Sequence, residues 1–185
     1  MNTNTLVIVA VVVIVLLLVA FMVMRQRQSK ALKSRFGSEY DRTVDEVGGR
    51  RAAEAHLHKV EKRVSTYDIR PLNADESARF TARWNEVQRV FVDNPTTAVN
   101  NADSLLAEVM TVRGYPVTDF DQAAADLSVD HPGVVQNYRA GHDIAVKHQR
   151  GEATTEDLRQ AMIHYRSLFT DLTGPAAVAE PASTR

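Results

Sequence analysis

The chain contains no cysteine, so disulfides and thiolate metal sites are excluded, and an oxidising or reducing compartment would leave the same molecule. Glycine is sparse. The one adjacent pair, Gly48-Gly49, stands alone before a helical pattern and lacks the spacing of a phosphate-cradling loop. Aromatic residues make up 6% of 185, with a single tryptophan. No window alternates with a strand's period of two, and no segment repeats. Nor does one sign of charge dominate, because the formal net charge is -1.

That near-neutrality conceals an uneven distribution. Arg25 to Arg63 carries 11 basic against 6 acidic residues, and Val64 to Arg185 carries 11 against 17. A basic segment followed by an acidic body argues against nucleic acid as a partner for the body and fits an anionic surface as a partner for the segment.

The surface is indicated by Leu6 to Met24, LVIVAVVVIVLLLVAFMVM, a run without charge or strong polarity. At about 1.5 Å per residue it covers roughly 28 Å, the thickness of one hydrocarbon core. Its β-branched residues are no obstacle, since in hydrocarbon a single span satisfies its backbone only as a helix. A cleavable signal peptide would show a basic leader and a small-residue cleavage site. Here the leader MNTNT is uncharged and the run ends at Arg25. Arg25, Arg27, Lys30, Lys33 and Arg35 follow directly, so the positive-inside rule predicts an N-terminus outside and the bulk in the cytoplasm. The same five cations are the expected contacts to lipid headgroups. The opposite topology, with the body outside the membrane, is the alternative.

Beyond the span, apolar residues recur at helical spacing. Ser38 with Asp41 resembles a capping box opening a short helix that ends at Gly48-Gly49. Ala53, Leu57, Val60, Val64 and Tyr67 line one face from Arg50 to Tyr67. Asn73 with Glu76 opens a helix bearing Phe80, Trp84, Val87 and Phe91, and Asn94-Pro95 opens another bearing Val99, Ala102, Leu106, Val109 and Met110. A brief helix over Phe120 to Leu127, a helix from Pro132 to Gln149, and one capped by Thr154 and Asp157 with a stripe of Leu158, Met162, Tyr165, Phe169 and Leu172 complete the pattern. The expected fold is all-α: a transmembrane helix followed by a soluble bundle of about six helices. The expected division is a short extracytoplasmic N-terminus (1–5), the span (6–24), a basic juxtamembrane linker (25–37), the helical domain (38–172) and a disordered tail (173–185).

Chemistry-bearing residues do not assemble along the sequence. His56 and His58 point apart on one helix, and His142 and His148 lack the spacing that aligns ligands, so neither metal nor cofactor is expected. Ser128, Asp130 and His131 are of hydrolase-triad types but too nearly contiguous to form a relay. Arg113, Tyr115, Asp130, His131, Tyr138, Arg139, Arg159, Tyr165 and Arg166 form a set of the Arg and aromatic types that anchor interfaces. The bland alternative is that each Arg pairs with a nearby acid on a solvated surface.

The stretches Arg113-Gly114-Tyr115-Pro116, Asp126 to Pro132, Tyr138-Arg139, and Thr155 to Ala161 with His164-Tyr165-Arg166 resemble those of uncharacterised bacterial proteins common in actinobacteria. That group joins an N-terminal hydrophobic segment to a helical domain, and some members are named as secreted. The similarity runs from about Ser34 to Leu172; it implies a bacterial envelope setting and supplies no catalytic residue. The expected function is a membrane-tethered interaction or scaffold module, not an enzyme, with the lipid bilayer and an unidentified protein as partners. Alternatives are a helical enzyme or ligand sensor with a pocket near His131, Tyr138 and His142, and a structural protein self-associating through the Ala53 to Tyr67 stripe.

Overall fold

The computed structural model describes residues 3–174, and within them every regular element is an α-helix. In order these are α1 (Thr3–Phe36), α2 (Ser38–Val47), α3 (Arg50–Val64), α4 (Ala74–Asp93), α5 (Pro95–Val112), α6 (Phe120–Asp130), α7 (Val135–Gln149) and α8 (Thr155–Thr173). The chain forms two compact units, Met1–Leu57 and His58–Arg185. Residues 1, 2 and 175–185 and the side chains of residues 3–11 and of Arg25 lie outside the described part, and with them most of the expected tail and the first side chains of the expected span.

In the first unit, α1 is one unbroken helix of 34 residues, about 51 Å long. It is long and apolar enough to cross a membrane. Its large apolar side chains from Val12 to Met24 are 44–70% exposed, so none of them is buried by the described residues. The stretch 25–37, expected as a linker, is helical as far as Phe36. Lys, Arg, Gln and Ala favour helix, and nothing before Gly37 interrupts it. Gly37 then adopts a positive φ of 55°, open to a residue without Cβ, and serves as the N-cap of α2. Ser38 is thereby the first helical residue rather than the cap, and no side chain caps α2. Asp41 instead pairs with Lys33 of α1 at 2.8 Å. Leu32, Phe36, Tyr40, Ala53 and Leu57 are buried. Glu54 accepts hydrogen bonds from Ser29 and, at 3.0 Å, from Tyr40.

In the second unit α4, α5, α7 and α8 enclose the core, with α5 against both α4 and α8 and α8 against α7. The expected caps at Asn73, Asn94 and Thr154 all accept from backbone N–H groups, and Asn73 and Thr154 form complete capping boxes with Glu76 and Asp157. Asp119 caps α6 as well. Three helix ends differ from expectation in this part of the chain. Helix α6 continues to Asp130, and α7 opens at Val135 rather than Pro132, because His131 to Val134 form a turn stitched by the Val134 N–H to the His131 carbonyl. Helix α3 ends at Val64, and Tyr67 donates instead to Asp126 at 3.0 Å. The Ala53 to Val64 stripe is 0–5% exposed. Tyr67, the last residue of the expected stripe, is half-buried.

The core includes Trp84 stacked on Phe169 at 4.7 Å, uniting α4 with α8. Helices α7 and α8 approach so closely that a Cβ at Gly141 would lie 2.5 Å from Tyr165 Cε1.

Candidate functional site

Arg113 ends α5 as its C-cap, and its guanidinium is drawn inward by acceptors that helices leave unsatisfied at their C-termini. Nη1 donates to the Leu172 carbonyl in the last turn of α8 at 3.3 Å, and Nε donates to the Arg70 carbonyl at 3.3 Å. Nη1 also lies 3.2 Å from His131 Nε2. A guanidinium only donates, so Nε2 accepts and the imidazole proton sits on Nδ1, directed at Asp171. Tyr115 donates to Asp130 at 2.9 Å, with the Arg113 guanidinium 5.9 Å from its ring. Burial, reinforced by Asp130, pushes the Tyr115 hydroxyl far up, so the phenol stays neutral. Burial also lowers the His131 pKa, against the pull of Asp171 and with the help of Arg113. Both imidazole nitrogens are thus occupied, and the arrangement ties the ends of α5, α6 and α8 together.

Beside this network a groove of about 510 Å³ opens along α8, lined by Val134, Ile163, Arg166, Ser167, Thr170 and Asp171. Ile163 is 45% exposed, and Asp171 belongs both to the rim and to the network behind it. The groove therefore offers an apolar floor between a cation and a carboxylate.

No known protein family, curated protein or solved structure matches the chain. The functional reading accordingly rests on geometry and chemistry.

The expected interface residues separate. Arg113, Tyr115, Tyr138 and Tyr165 are buried, the tyrosines at 0–4% exposure, so they cannot face a partner as a surface set would. The reason is that each tyrosine lies on a core face. Tyr165 donates to Asp103 at 2.8 Å, and burial raises its pKa and that of Tyr138 well above the ordinary value. Arg139 pairs with Asp121 at 2.9 Å and Arg159 with Glu156 at 2.7 Å. Asp130, Arg159 and Arg166 are exposed, and of these only Arg166 lines the groove. His142 stacks on Phe120 at 3.6 Å, the same ring against which Tyr138 packs at 4.8 Å, whereas His131 is engaged by Arg113 and Asp171 and Ser128 donates to its own helix at Ala125. Among the described residues no three His, Asp or Glu side chains gather as a metal site would require. Of the five expected lipid-contacting cations, Arg27, Lys30, Lys33 and Arg35 follow the apolar stretch on α1, and Lys33 is engaged by Asp41.

Sequence reasoning passed over Asp126, Asp103 and Asp171. Asp126 is 0% exposed and accepts from Arg63 at 2.9 Å and from Tyr67. Its signal was available: it lies beside Leu127 and three residues after Ala123, so it interrupts an apolar helical face.

Proposed function

We propose that the chain is a membrane-tethered interaction module: α1 crosses a bacterial cytoplasmic membrane with its N-terminus outside, and the body of α4–α8 lies on the cytoplasmic side and receives another protein in the α8 groove. The observation that carries the reading is the uncovered apolar length of α1, followed at once by cations. Exposure of the apolar residues from Val12 to Met24 to water raises the free energy by roughly 25 cal/mol per Å², and transfer to hydrocarbon removes that cost. The cations oppose crossing, which supports the stated orientation. Confinement of this kind raises the local concentration of the groove without further contacts.

The groove supplies what a protein partner needs, namely an exposed Ile163 as an apolar anchor beside Arg166 and Asp171. The test is a photo-crosslinking residue at Ile163 in the membrane-embedded full chain, with one at Ser104, exposed on α5, for comparison. A discrete protein adduct from position 163 and none from 104 is the expected outcome; equal or absent labelling at both would sink the reading. Protease added to intact cells should leave α4–α8 untouched, and digestion from outside would reverse the topology.

A further inference from the structure

The turn between α2 and α3 returns to the end of the apolar stretch of α1. Helix α2 runs back along α1 from Gly37, as the Lys33–Asp41 pair requires, and its ten residues cover about 15 Å. The first turn of α3 consequently lies level with the apolar terminus, where Phe21, Met24, Gln28 and Arg51 line a groove of about 380 Å³.

Arg51 is exposed there and has no acidic partner among the described residues. Glu54, one turn along α3 and the natural candidate, is occupied by Ser29 and Tyr40. Val47, at the end of α2, is 42% exposed. An unpaired guanidinium thus sits next to two side chains that belong in hydrocarbon, with an amide between them and an apolar residue on the adjoining turn.

We propose that this groove holds the phosphodiester headgroup of an anionic phospholipid, with the Arg51 guanidinium on the phosphate and Phe21 and Met24 against the first carbons of the acyl chains. The inference rests on α1 lying in a bilayer. Guanidinium matches phosphate oxygens in a bidentate fork, and the groove is continuous with the membrane-spanning surface, so its occupant arrives from the lipid side. Val47 then enters the headgroup layer beside it, and α2 is held against the membrane rather than free below it.

The test is native mass spectrometry of the full-length protein released from vesicles of phosphatidylcholine and phosphatidylglycerol. The protein is expected to retain one phosphatidylglycerol in preference to phosphatidylcholine. Arg51→Gln should weaken retention about fivefold, the worth of one basic residue at an anionic surface. Lys59→Gln removes an equal charge from an exposed position eight residues farther along α3 and should retain the lipid as the unaltered protein does. Equal retention of the two lipids, equal retention by Arg51→Gln, or an equal loss in Lys59→Gln would each overturn the site. Displacement of the lipid by inorganic phosphate would do so too, by assigning the groove to a free anion. Recovery of the intact chain in the soluble fraction after detergent-free lysis defeats the anchor itself, whereas an anchored protein whose lipid is indifferent to Arg51 defeats this inference alone.

Discussion

Tyr165 and Gly141 illustrate how a single atom decides the packing of α7 on α8. Alanine is the better helix former by about 1 kcal/mol, and at an exposed site Gly141→Ala would stabilise. Here the added Cβ would meet Tyr165 Cε1 at 2.5 Å, and the ring cannot retreat because it is fully buried and its hydroxyl is bound to Asp103. Overpacking costs about 1 to 3 kcal/mol, so a net loss is expected. A urea midpoint equal to or above that of the unaltered protein would show that the hairpin yields. Asp126 is the second case. Its carboxylate is fully buried and answers Arg63 and Tyr67, so Asp126→Asn removes charge-assisted bonds and should cost about 2 kcal/mol. The same denaturation experiment measures it, with a loss near zero showing that water replaces the carboxylate.

At the scale of the element, capping determines where helices begin, and one cap carries a pH signature. Arg70 donates two bonds of 2.8 Å to Glu76, whose carboxylate also receives the Asn73 backbone N–H at 2.9 Å. Together these bring the Glu76 pKa from 4.5 down to about 2, the Arg70 contribution being the larger. A carboxylate whose folded pKa is depressed stabilises the fold above its unfolded pKa, and that stabilisation fades as pH falls toward the folded value. The difference in melting temperature between the unaltered protein and Glu76→Gln should therefore be constant at neutral pH, shrink below about 4.5, and close near 2. A difference that persists in strong acid would mean that the Asn73 cap acts without the ionised partner. The caps at Asn73, Asn94 and Thr154 were legible because capping joins residues three apart. The start of α2 was not, since Gly37 takes the cap only because α1 persists unbroken to Phe36.

For the whole molecule, the largest apolar cluster, from Phe80 to Leu172, belongs entirely to the second unit. The Arg63–Asp126 and Arg113–His131–Asp171 networks belong to it as well. A fragment spanning 58–174 should accordingly remain in solution without detergent and unfold in one cooperative transition, as followed by circular dichroism. Aggregation or a broad melt would show that the first unit supplies part of its stability. The membrane-tethered reading expects the opposite behaviour of the full chain, which should enter the detergent phase with α1.

The sequence alone determined the helical class, the uncovered apolar length of α1 and most cap positions, because helix formation, capping and solvation by hydrocarbon depend on neighbours within a turn or on local composition. Tertiary structure alone decided which polar groups meet. Tyr165 finds Asp103 across 62 positions and Arg63 finds Asp126 across 63, and no periodicity encodes such distances. The tyrosines singled out as interface anchors proved to be core residues for the same reason: whether an amphipathic ring faces water or protein is settled by the helix laid over it.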